Sequence, residues 1–156
     1  IEQTIRETIH AALDTSPDAA PLRTPTLWID NDTVVGRGAR AVWAYRRDLT
    51  RELLERLATV PVTAWEPLLP EGYGRPAAVI VLEGDAREAT AQLPDLVRIS
   101  CVLGEGEDYI SSHAREGDRV ITADKALRAH LRARHIDVID VTAIDGLTGV
   151  PQPGTA

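Results

Sequence analysis

The sequence predicts a three-layer α/β/α domain on a mostly parallel sheet of about five strands flanked by helices. Three observations predict it. Short apolar runs alternate with amphipathic stretches along the chain. The runs are unbroken, as in strands buried on both faces of a parallel sheet. A chain of 156 residues, 44% hydrophobic, suffices for one domain with a packed core.

The elements follow in order. Ile1, Ile5, Ile9 and Leu13 make one narrow stripe on a helix over residues 1–14. A proline-rich linker follows to residue 25. The main domain runs over 26–147, and 148–156 reads as a tail. Thr26–Asp30 is the first strand. Residues 41–58 form a helix with Val42, Tyr45, Leu49, Leu53 and Leu57 on its inner face. Val60–Pro76 reads as an irregular excursion holding a short strand at Val62–Trp65. Ala77–Glu83 is the second strand, and Asp85–Leu93 a short helix. Leu96–Leu103 is the third strand. Glu107–Gly117 is a helix stopped by its glycine. Arg119–Ala123 is the fourth strand, Asp124–His135 a helix, and Ile136–Val141 the fifth strand.

Composition narrows the function. Seventeen basic residues against 24 acidic give a net charge of −7, which opposes a general electrostatic grip on nucleic acid or anionic membrane. The single cysteine excludes an internal disulfide and a Cys-rich zinc module. No apolar run approaches the roughly 20 residues of a spanning helix. The opening residues IEQTIRETIH lack the pattern of a secretory leader, so a cytoplasmic protein is expected.

The chemistry lies in where the acids fall. Ligands of open parallel sheets bind at the carboxyl ends of the strands. The first strand ends in Asp30, with Asp32 two residues on. The second ends in Glu83. The third runs into Glu105, Glu107 and Asp108, and the fourth meets Asp124. Carboxylates gathered at one edge raise one another's pKa, and Mg²⁺ or Mn²⁺ relieves that repulsion. Each acid also has a structural account: Asp124 as a helix N-cap, Glu107 or Asp108 as helix-start residues, Asp32 as a turn residue.

In order along the chain, Trp28–Gly36 reads W-I-D-N-D-T-V-V-G, Ile80–Gly84 reads I-V-L-E-G, Gly106–Ile110 reads G-E-D-Y-I and Ile121–Leu127 reads I-T-A-D-K-A-L. These stretches, with an arginine-rich helix after the first, resemble the YacP-like NYN domains, a branch of the PIN-like nuclease superfamily. The resemblance spans about residues 26–147, and its last motif is the most specific. It implies a ribonuclease dependent on Mg²⁺ or Mn²⁺. It implies Asp30, Glu107, Asp108 and Asp124 as the metal-binding catalytic acids, with Glu83 as a lesser candidate. The family's Gly-Asn-Asn is Asn31-Asp32-Thr33 here, and two of its aspartates are Glu83 and Glu107. The alternative is a catalytically weak PIN-like module that binds RNA or protein. A small-molecule phosphohydrolase comes third.

Substrate candidates surround these acids. Residues 37–56 hold six arginines and three acids, so Arg46 and Arg47 could face phosphate. Lys125 and Arg128 follow Asp124, and Asp32 and Thr33 follow Asp30. Trp65 or Tyr73 could stack on a base, although core packing is the commoner role. The stripe on residues 1–14 could cover its own core or join two copies. Gly36–Ala41 fits G-x-G-x-x-A, but the expected acid at the end of a second strand is missing, and a turn before a helix explains it better. The four histidines lack zinc spacing, and Cys101 sits in an apolar run.

Overall fold

The computed structural model describes residues 24–36, 45–71, 77–84, 86, 89 and 106–149. The helix expected over 1–14, its linker, the strand expected at Leu96–Leu103 and most of the helix expected at Asp85–Leu93 lie outside them. So do Tyr73, Cys101 and the segment from Arg37 to Ala44.

Four strands form one sheet among the described residues: β1 (Thr26–Asp30), β2 (Ala77–Val81), β3 (Arg119–Ile121) and β4 (Asp137–Ile139). They lie in the order β2-β1-β3-β4, and every pairing is parallel. Ile29 stands beside Ile80 on one side and Ile121 on the other. Both β1 and β2 are buried at every position, which accounts for their unbroken apolar sequences.

The pleat divides the core in two. Leu27, Ile29, Ala78, Ile80 and Ile121 pack on one face with Leu54, Leu57, Trp65 and Ile144. Trp28, Val79, Val81 and Val120 pack on the other with Ile110, Leu127 and Leu131. The first set of partners comes from α2 (Arg46–Ala58), α3 (Val62–Trp65) and α6 (Thr142–Thr148). The second comes from α4 (Gly106–His113) and α5 (Lys125–Ala133). Helices thus cover both faces of a parallel sheet, as the sequence predicts. One further short helix, α1 (Asn31–Val35), leaves the end of β1.

Several local expectations are corrected. Val62–Trp65 is a helical turn, not a strand. Pro61 stands extended just before it, and one turn carries Trp65 into full burial. That burial also removes Trp65 as a base-stacking residue. On α2 the buried positions are Thr50, Leu54 and Leu57, whereas Tyr45 is 50% exposed. The inner face keeps Leu57, with Leu53 packed against the core, and extends to Thr50, whose Oγ1 accepts Nδ2–H of the fully buried Asn31 at 2.8 Å. Helix α4 stops at His113, before Gly117. There the carboxylate of Asp118 takes the backbone N–H of Arg115 at 3.1 Å. No element is expected over 142–148, yet α6 packs Ile144 into the core and ends at Gly149 in the left-handed region.

An acidic cavity at the carboxyl edge of the sheet

The chain leaves β1 to build β2 on one side and later β3 on the other. The order therefore reverses at the carboxyl end of β1, where open parallel sheets leave a crevice. A cavity of about 620 Å³ opens there. Asp30, Asp32 and Thr33 line it from β1 and α1, and Glu83 from the end of β2. Glu107 lines it from α4, Asp124 from the end of β3, and Arg46 from the start of α2. Three strand ends and one helix start thus deliver five acids to one wall, opposed, among the described residues, by the guanidinium of Arg46.

Asp30 closes β1 and is 3% exposed. Thr122 donates its hydroxyl to Asp30 Oδ2 at 2.8 Å. Burial nevertheless pushes the Asp30 carboxyl up to about 6, with Glu83 and Asp124 adding repulsion and Thr122 opposing it. Asp32 is pushed up to about 7 by burial and by Glu83, against the pull of Arg46. Its Oδ1 lies 3.5 Å from Arg46 Nε and takes no hydrogen bond from the described residues.

Asp124 has the opposite character. It is the N-cap of α5, and its Oδ1 accepts the N–H of Leu127 at 2.7 Å. That bond, with one from the Glu107 carboxyl, holds Asp124 below the usual carboxylate range. Its capping role and its place in the cavity coexist.

Two residues are engaged within the fold. Glu83 Oε2 accepts the backbone N–H of Gly106, which fixes the start of α4 beside the cavity. A methyl group on Gly106 would lie 3.0 Å from Glu83 Oε2 and 3.3 Å from Val81 Cγ1, so a side chain there would push these neighbours back by a few tenths of an ångström. Thr33 Oγ1 donates to the Asp30 carbonyl at 3.1 Å and accepts the Ala123 N–H at 3.1 Å. Its hydroxyl ties β1 to the end of β3.

Other candidates do not line the cavity. Asp108 is exposed on α4 and does not line it; its carbonyl accepts the Ser112 hydroxyl at 2.8 Å. Arg47 pairs with Asp48 at 3.6 Å on the exposed side of α2. Lys125 is exposed, Arg128 half-buried, and neither lines the cavity. Sequence reasoning missed Thr122, which links Asp30 to the backbone N–H of Asp124 by a 3.1 Å bond. A hydroxyl residue at the end of an apolar run, just before a strand-end acid, was the available signal.

Among the described residues, no three acidic, histidine or cysteine side chains form a ready-made metal cage. The donor chemistry still suits a hard divalent ion. The acids offer only oxygen, Asp32 Oδ1 is buried without a hydrogen bond from the described residues, and burial and mutual repulsion hold Asp30 and Asp32 above their ordinary pKa.

No protein-family model and no curated protein sequence matches the chain. Among solved structures, it is similar to a mutant of Rae1 (YacP) from Bacillus subtilis, with 9% identity over 78% of this chain and 72% of that one. The TM-score is 0.49. No helix among the described residues is long and apolar enough to cross a membrane.

Proposed function

We propose that this chain is a phosphodiester hydrolase acting on RNA with Mg²⁺ or Mn²⁺, an endoribonuclease. The observation that carries the reading is the set of five acids lining one cavity where the strand order reverses. The ordered motifs resembling NYN domains supply the substrate class.

Asp30, Asp32, Glu107 and Asp124 are the residues that would hold the ion. A divalent ion supplies charge neutralisation at phosphate and activation of water. Asp32 would offer the ion a carboxylate that otherwise faces Arg46. Thr122 orients Asp30 from below, and Asp124 is kept ionised by the α5 N-terminus. Asp108, exposed outside the cavity wall, has no role in this scheme.

The test is cleavage of labelled single-stranded RNA with Mn²⁺, Mg²⁺ or EDTA, alongside Asp30→Asn and Asp124→Asn. Metal-dependent cutting that falls at least a hundredfold in both variants supports the hydrolase. A second reading, a module that binds without cutting, is favoured by the engagement of Glu83 and Thr33 in the fold. Retention of the RNA in a gel shift, uncut with either metal, would establish it in place of the first.

A further inference from the structure

The guanidinium of Arg46 occupies a built seat in the acidic cavity. Its Nε is 3.5 Å from Asp32 Oδ1, and its Nη1 donates to the Glu83 carbonyl at 3.2 Å. The arginine side chain is 18% exposed. The backbone has made room for it. Gly84 has φ +57°, and a Cβ there would fall 2.2 Å from Arg46 Nη1. Glycine at 84 therefore serves both the left-handed turn and the arginine.

We propose that Arg46 is the resident cation of this cavity and that it competes with a divalent ion for the same carboxylates. Among the described residues, one guanidinium faces five acids and compensates only part of their charge. A doubly charged ion among these acids would meet repulsion from Arg46 and attraction from Asp32. Loading then requires Arg46 to release Asp32, and Arg46 sets the ion concentration at which the site fills. The inference rests on the hydrolase reading only in treating the cavity as a cation site.

The test is Mn²⁺ binding to the whole chain, read from the electron paramagnetic resonance signal of free Mn²⁺. Arg46→Gln is expected to tighten Mn²⁺ binding at least about fivefold, because a positive charge within a few ångströms is removed. Arg46→Lys keeps the charge and should stay closer to wild type. Arg51→Gln removes the same charge from an exposed position on the same helix, and should change the affinity less than twofold. Circular dichroism confirms that each variant is folded. Measurable binding by the wild type with equal or weaker binding by Arg46→Gln overturns the competition and leaves the hydrolase reading intact. An equal gain in Arg51→Gln also overturns it, since the effect would then be net charge alone. Absence of Mn²⁺ binding in every variant overturns both.

Discussion

Thr122 donates its hydroxyl to Asp30 Oδ2 at 2.8 Å, joining residues 92 positions apart in the chain. The bond is the main brake on the upward pKa shift that burial imposes on Asp30. Thr122→Val keeps the shape and removes the donor. It should raise the Asp30 pKa further and cost about 1–3 kcal/mol at neutral pH, the range for a buried bond to a charged group. Thr122→Ser should restore both. Carbon-detected NMR titration of the Asp30 carboxyl and urea melts at pH 7 measure the two effects.

Stability should depend on pH in a defined direction. Asp30 and Asp32 are pushed up in the folded chain to about 6 and about 7 from 3.8. Their protonated forms therefore favour folding, fully below about pH 4, and the benefit disappears as pH rises through the folded values. For Asp30, at 3% exposure, the loss is on the order of 3 kcal/mol. Without divalent ions, urea midpoints should fall between pH 4 and 7. Asp30→Asn should flatten the fall. Asp124 is shifted downward, so its loss belongs below pH 4 and does not blur the window.

Asp118 is a latch at the opposite edge of the sheet. Its carboxylate accepts Thr26 N–H and Trp28 Nε1–H at 3.0 Å each, and Arg115 N–H at 3.1 Å. It is 1% exposed. Asp118→Ala strands three donors, two of them at the start of the central strand. The expected cost is about 3 kcal/mol or more in denaturant melts. Asp118→Asn keeps acceptor capacity at one oxygen and should cost less.

Trp65 is fully buried, yet its indole N–H has no hydrogen-bond partner among the described residues. Its contribution is therefore packing. Trp65→Ala should cost about 3–5 kcal/mol through the cavity it leaves. Trp65→Phe loses volume but also removes a stranded donor, so its cost should be about 1–2 kcal/mol. Thermal melts of the two variants separate these contributions.

The strands beside the cavity were legible because burial on both faces writes an unbroken apolar run, as in Leu27–Ile29 and Ala78–Val81. Asp30 and Asp124 were legible because each stands where such a run ends. The helical turn at Val62–Trp65 was not, since four residues are too few to show a helical period. Nor was the engagement of Glu83, whose partner Gly106 lies 23 positions later. Arg46 could be picked out only together with Arg47. Its distinction from Arg47 comes from the direction each leaves α2 and from the backbone at Gly84.

The sheet order carries a consequence for how the chain is made. β1 emerges first of the four strands, yet it ends between β2 and β3. Its five residues are all buried in the finished domain, and three of them, Leu27, Trp28 and Ile29, are apolar. Until residue 121 has been synthesised, one side of β1 lacks the neighbour it will have. A nascent or truncated chain then presents an apolar edge open to pairing with other chains. Fragments ending between β2 and β3 should therefore self-associate, and the yield in a cell will depend on how quickly β3 follows β2 off the ribosome.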